Sequence, residues 1–173
     1  MKSNLIELKA RALSLERKRN LLKALGAEME GKYHQTDTYF NAPHGRLKLR
    51  EVEGQPTSKL IHYNRDDTPD PKQSDVTLYD TCDPRTLKIL LQRALGTKVT
   101  ITKTREIYHY QRTQVHLDKV EGLGTYIEFE REIRNLPEDR RTLDLLMEAL
   151  EIRQEDLETV SYSDLKLEKG STP

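Results

Sequence analysis

Charged side chains fall on alternate residues in four stretches of this chain, and that spacing is the first sign of chemistry. Glu7, Lys9 and Arg11 alternate in one; Arg46, Lys48 and Arg50 in a second; Lys103 and Arg105 in a third; Glu128, Glu130 and Glu132 in a fourth. Residues two apart on an extended strand face the same way, so each stretch presents a stripe of charge. Cationic stripes suit a polyanion, because guanidinium and ammonium groups make charge-assisted hydrogen bonds to phosphate oxygens. A carboxylate stripe suits a hard divalent cation such as Mg2+ or Mn2+. Together they point to a metal-bound polyphosphate. The wet face of any antiparallel sheet also carries charge on alternate positions, and a salt-bridged acidic strand beside basic ones gives the same pattern. Segregation by sign across several strands is what favours a site.

The elements that must hold these stripes are short strands in hairpin-like succession. Residues 4–12 read as a strand, followed by a helix with Ser14 as N-cap, an apolar stripe through Leu15, Leu21, Leu22 and Leu25, and Gly26 past its end. Strand patterns follow over residues 33–40, 45–52 and 59–65. Residues 66–74, polar and with two prolines, read as a mobile loop before a strand at 75–79. Asp83 and Pro84 open a helix that Gly96 closes, with Leu87, Leu90, Leu91 and Leu95 as its apolar stripe. Strands at 98–110, 114–120 and 126–132, a helix from Pro137 through Leu150 and a helical tail to about Leu167 complete the chain.

The fold expected is α+β: about eight antiparallel strands closed into a barrel, with helices packed outside, as a single domain over residues 1–173. Closure puts one set of strand residues against an outer core and the charged set in the interior. A charged lumen without a ligand carries a large unpaired-charge penalty, so the lumen is the expected site.

Composition narrows the partners. Lys and Arg together number 29 and Asp and Glu 29, so net charge indicates neither nucleic acid nor an anionic membrane. Tryptophan is absent and there are two phenylalanines, which leaves little for a base-stacking platform. One cysteine, Cys82, excludes an intramolecular disulfide framework and fits a reducing compartment. No apolar run reaches a transmembrane length, so a soluble, cytoplasmic protein is expected. His34, His44, His62 and His109 form no transition-metal spacing, and His116, on a strand, reads as structural.

The ordered pieces Glu7-Leu8-Lys9, Asp37-Thr38-Tyr39-Phe40, Leu47-Lys48-Leu49-Arg50, Lys103-Thr104-Arg105, His116-Leu117-Asp118, Val120-Glu121-Gly122-Leu123-Gly124 and Glu128-Phe129-Glu130 are, taken together, specific. In that order they resemble the CYTH superfamily, the triphosphate tunnel metalloenzymes, from Ile6 to about Leu165. With the Val-Glu-Gly-Leu-Gly turn and Ser161-Tyr162-Ser163-Asp164-Leu165, the chain is most similar to the class IV adenylyl cyclase-like and thiamine triphosphatase branch.

The resemblance implies an eight-stranded tunnel holding a triphosphate with Mg2+ or Mn2+. Carried over by position, Glu7, Glu128, Glu130 and Asp118 are the implied metal carboxylates, and Lys9, Lys48, Arg50, Lys103 and Arg105 the implied phosphate contacts. Lys72 resembles a loop lysine that reaches over the tunnel mouth. Lys9, Lys72 and Tyr39 are the implied catalytic residues, although Tyr39 reads equally as a packed aromatic. Two positions depart from the pattern. Leu5 stands where the first glutamate of a Glu-x-Glu-x-Lys strand belongs, and Tyr63 stands where relatives carry a lumenal lysine, with Lys59 and Arg65 on its face. The function expected is metal-dependent hydrolysis of a small-molecule triphosphate, by a monomer or homodimer that binds neither nucleic acid nor membrane. A class IV-type cyclase making cyclic AMP from ATP, and a low-turnover polyphosphate- or nucleotide-binding module, are the alternatives.

Overall fold

The computed structural model describes residues 2–65 and 72–170. Eight strands among them close into an antiparallel barrel: β1 (Lys2–Arg11), β2 (Glu28–Phe40), β3 (Arg46–Val52), β4 (Ser58–Arg65), β5 (Lys72–Thr81), β6 (Thr97–Tyr110), β7 (Thr113–Val120) and β8 (Gly124–Glu132). Around the barrel the order is β1-β5-β4-β3-β2-β6-β7-β8, and β8 returns to β1. Four helices accompany it: α1 (Leu15–Ala24), α2 (Pro84–Leu95), α3 (Leu136–Ala149) and α4 (Tyr162–Gly170). No helix among the described residues is long and apolar enough to cross a membrane.

Alternation sorts the strand residues as expected. Ile6, Leu8 and Ala10 on β1, Val115 and Leu117 on β7, and Ile127 and Phe129 on β8 point outward. There they meet Leu22 of α1 and Leu143, Leu146 and Met147 of α3 in the main core. The intervening residues face the lumen. Ser14 caps α1 through Arg17 N, Asp83 caps α2 through Thr86 N, and Asn135 caps α3 through Glu138 N. The C-terminus of α3 is held by buried Lys18, whose ammonium donates to the Leu150 carbonyl at 2.6 Å and the Glu151 carbonyl at 3.1 Å.

Three sequence expectations need revision. Strand β2 begins at Glu28 rather than residue 33, because the long β6 supplies partners for it, with an irregularity in register between Met29 and Gly31. Strand β5 begins at Lys72, paired along β1, so the loop is shorter than residues 66–74; residues 66–71 lie outside the described residues. None of α2 is buried: Leu90, assigned to its apolar stripe, is 59% exposed.

Two turns fix strand positions. Between β7 and β8, Gly122 takes φ 74°, a left-handed conformation that glycine adopts without a Cβ penalty. Between β6 and β7, Gln111 and Arg112 take φ 44° and 64° although neither is Gly or Asn, a strain of roughly 1–3 kcal/mol each. An ionic knot offsets it. Arg131 donates to Asp139 at 2.6 Å and to the Gln111 carbonyl, while Asp139 also accepts from the backbone N–H groups of Arg134 at 2.8 Å and Asn135 at 2.9 Å. Burial would raise the Asp139 pKa, but those hydrogen bonds lower it to about 2.

Asp139→Ala should therefore destabilise the fold by on the order of 3–5 kcal/mol, because it strands buried Arg131 and frees a strained turn. Denaturant unfolding of parent and variant at neutral pH checks this. Because the folded pKa is depressed from 3.8 to about 2, the parent's Asp139 contribution is complete above the unfolded value and disappears as pH falls through the folded one.

Candidate active site

The lumen holds a cavity of about 480 Å3, within the usual range for a small-molecule site. Its charges form two knots. In the first, Asp37 on β2 is 1% exposed and accepts from Arg50 Nε at 2.7 Å and Nη2 at 2.8 Å, and from Lys48 Nζ and Lys103 Nζ at 3.0 Å each. Strand register dictates the convergence: Asp37 lies opposite Arg50 on β3, and β6 flanks β2 on its other side. Burial pushes the Asp37 carboxyl up, but Arg50, Lys103 and Lys48 override it and hold it well below the usual carboxylate range. Three cationic side chains on one carboxylate leave a positive surplus. Lys103 feels it: burial, with Arg50, Arg105 and Lys48 nearby, brings its pKa from 10.5 down to about 7 in spite of Asp37.

The second knot joins β6, β7 and β8. Arg105 clamps Asp118 with Nε at 2.7 Å and Nη2 at 2.5 Å, and the same Nη2 reaches Glu128 at 2.5 Å. The Tyr162 hydroxyl donates to Asp118 at 2.8 Å, so both oxygens of Asp118 already accept hydrogen bonds. Glu128 sits between Lys9 on β1 and His116 on β7, each its direct cross-strand neighbour. Burial raises its pKa, yet Arg105 and Lys9 help hold it well below the ordinary range. One step along, Glu130 lies opposite Glu7 on β1 and Gln114 on β7. His116, Glu128 and Glu130 each offer a ligand atom, and these atoms lie within 4.8 Å of one another. The donor set fits a divalent cation.

One end of the barrel is closed by the chain after α3. Tyr162, at the start of α4, packs with lumen-facing Tyr39, Ile101 and Tyr126, edge-on to Tyr126 at 5.0 Å between centroids. The Glu158 N–H donates to the Lys9 carbonyl, and Lys9 Nζ donates to the Val160 carbonyl at 3.1 Å while lying 4.1 Å above the Tyr162 ring. Lys9 also approaches Glu128 at 3.5 Å. Neither Lys9 nor Tyr39 is among the residues lining the cavity. Burial, with Asp37 nearby, pushes the Tyr39 hydroxyl well up, so it stays protonated; its oxygen is 3.4 Å from Lys48 Nζ.

The remaining sequence-nominated residues separate clearly. Glu7, Lys48, Arg50, Lys103, Arg105, Glu128 and Glu130 all line the cavity. Asp118 and Lys9 stand behind it as partners of Arg105 and Glu128. The backbone of Lys72 pairs with Glu7, but its side chain lies outside the described residues. Leu5 faces the cavity, opposite Glu132 in register.

The lumen is not charged throughout, as sequence alternation suggested. Ile61 and Tyr63 on β4 and Val76 on β5 cluster with Leu5 and Leu78 as an apolar wall. Glu132, the third carboxylate of the acidic stripe, lines it too, whereas sequence reasoning missed Gln114 and Arg112. Alternation would have found Gln114, since it continues the His116 face. Arg112 sits in a turn, where strand period carries no information.

Comparison with known proteins agrees with this geometry. Residues 4–162 match the family described as CYTH domain. A protein of Methanocaldococcus jannaschii named "Putative adenylate cyclase MJ0240" is 29% identical over 164 residues, covering 84% of this chain and 88% of that protein. The structure of the PH1012 protein from Pyrococcus horikoshii OT3 superposes with a TM-score of 0.86 at 24% identity, over 93% of this chain and 98% of that one. A Hippeastrum protein described as a putative adenylyl cyclase with a dominant triphosphatase activity superposes at 0.69 with 14% identity, over 99% of this chain and 97% of that one. Ordered charge stripes, closed barrel and family match converge, and the chain belongs to the CYTH domain family.

Proposed function

We propose that this protein hydrolyses a small-molecule triphosphate, inorganic or organic, held in the barrel with a divalent cation. The observation that carries the reading is the pairing, in one cavity, of a cation surplus around Asp37 with the His116–Glu128–Glu130 cluster. A triphosphate brings roughly four negative charges, and catalysis of its transfer is mostly positioning and charge stabilisation. Lys48, Arg50 and Lys103 supply donors on one side of the lumen, and Arg105 supplies a fixed charge between the two knots. Glu128 and Glu130, with Glu7 opposite, are the residues that would hold the cation. When bound, that cation would supply positive charge against the negative charge developing on the phosphate oxygens. Lys9 holds Glu128 in place, and Asp118 does the same for Arg105. Water attack on the terminal phosphorus breaks its bridging P–O bond and yields orthophosphate and a diphosphate. This chemistry needs nothing beyond the tunnel.

A second reading, cyclisation of ATP to cyclic AMP and pyrophosphate, draws on the apolar wall of Leu5, Ile61, Tyr63, Val76 and Leu78, a surface suited to an organic group. The name of the M. jannaschii relative points the same way. The deciding experiment measures phosphate, pyrophosphate and cyclic AMP from tripolyphosphate and ATP, with Mg2+ or Mn2+ and with excess chelator. Phosphate release that chelation abolishes is expected. Cyclic AMP as the main product from ATP would replace hydrolase with cyclase, and retention of either compound without turnover would leave a binding module.

Arg50→Ala should weaken tripolyphosphate binding by roughly tenfold or more, since a charge-assisted fork is lost. Asp37 keeps two lysines, so the melting temperature should fall far less than for a variant that strands a buried charge. Binding calorimetry and thermal melting measure the two effects separately.

Lys103 makes binding pH-dependent. With a folded pKa of about 7 it is mostly neutral at pH 8, and an incoming triphosphate favours its charged form. Binding at about pH 8 should therefore take up as much as one proton, with less uptake in acid, where Lys103 is already charged. Calorimetry in buffers of different ionisation enthalpy reads this directly, and Lys103→Met should abolish it. In the free protein the sign is also fixed. Between about 7 and the ordinary 10.5 the unfolded chain binds a proton that the folded chain lacks, so this residue makes stability rise with pH.

A further inference from the structure

Among the described residues, three buried side-chain polar atoms have no hydrogen-bond partner, and one of them is His116 Nδ1. His116 is 2% exposed, and this nitrogen points into the acidic cluster, 3.7 Å from Glu130 and 3.8 Å from Glu128, beyond hydrogen-bond reach of both. The other ring nitrogen, Nε2, lies 3.2 Å from Gln114 Oε1. An amide oxygen only accepts, so Nε2 carries a hydrogen, and in the neutral ring Nδ1 is then the acceptor nitrogen. That nitrogen and the two carboxylates converge within 4.8 Å, the spacing of a cation's donor set. A ligand histidine whose second nitrogen donates to a carbonyl oxygen is the usual arrangement in metal centres.

We infer that His116 Nδ1 is a cation ligand beside Glu128 and Glu130, giving a mixed nitrogen–oxygen site that prefers first-row transition divalents such as Mn2+ or Co2+ to Mg2+. Hard Mg2+ favours oxygen and retains water, whereas imidazole binds transition ions well. Two features of this chain give the nitrogen weight. Arg105 already draws on Glu128, at 2.5 Å, which weakens that carboxylate as a donor. On β1, Glu7 faces the cluster, but the next lumen-facing residue toward the open end, Leu5, has no donor to add. Each remaining carboxylate oxygen still has a lone pair to share, so the arginine does not block the site. The inference rests on the divalent-cation part of the proposed function and selects the class of ion.

Pulsed EPR of the parent protein with Mn2+, with and without tripolyphosphate, tests it without any variant. Nitrogen modulation from a coordinated imidazole is expected. Calorimetry should show tighter binding of Mn2+ and Co2+ than of Mg2+, and His116→Gln should lose the nitrogen signal. The same variant should weaken Mn2+ roughly tenfold or more while changing Mg2+ much less. Bound Mn2+ with no nitrogen coupling would overturn the inference and leave the proposed function intact. No bound Mn2+ under either condition would overturn both it and the cation part of that function.

Discussion

The structure depends on keeping many charges inside a closed barrel without tearing it apart. Removing an ionised group from water is expensive unless it is paired and hydrogen-bonded. Asp37 and Asp118 meet that requirement. Each is fully buried, and each is gripped by a bidentate arginine from the adjoining strand, Arg50 and Arg105. They act as internal counter-ions for a cationic lining that would otherwise repel itself. The match is deliberately incomplete at Asp37, where three cations share one carboxylate. That remainder is the attraction that the proposed triphosphate would meet.

Arg105 links the two halves of the site. It touches Asp118 and Glu128 at once, so the cation-rich side and the acidic cluster share one guanidinium. The plug formed by α4 belongs to the same network, because Tyr162 bonds Asp118 and lies beneath the Lys9 ammonium. A displacement of the C-terminal segment would therefore reach Glu128 by two routes, through Asp118–Arg105 and through Lys9. Closing one end of the barrel and aligning its carboxylates are the same act of packing.

Much of this was legible in the sequence because a strand has a period of two. Glu7, Lys48, Arg50, Lys103, Arg105, Glu128 and Glu130 were assigned to one face by alternation, and all of them line the cavity. Caps at Ser14, Asp83 and Asn135 set the helix starts, and two of the three were plain from residue type. Period says which face a residue takes, but not how deep along the barrel it sits or what fills the lumen beside it. Lys9 and Asp118 therefore looked like direct contacts, although they stand behind Glu128 and Arg105. The Tyr162–Asp118 bond joins residues 44 apart in the chain, and no local signal announces it. The apolar wall escaped for another reason: Val76 and Leu78 alternate with Thr77 and Tyr79, and either set could have faced inward.

The two buried cations of β6 carry the last distinction. Arg105 and Lys103 are neighbours on one face, but their protonation behaves oppositely. Arg105 is buried against Asp118 and Glu128, which outweigh its desolvation and hold its pKa well above the ordinary value. Lys103 shares its one carboxylate with Arg50 and Lys48, and burial brings its pKa down to about 7. A guanidinium stays charged in any state of the tunnel, so Arg105 can organise the carboxylates before a ligand arrives. An ammonium can give up its proton when the lumen is empty and, under the proposed function, would regain it beside the triphosphate. The empty barrel thereby sheds part of the repulsion among its lumenal cations, and the proposed polyanion would restore the full charge by favouring the protonated lysine.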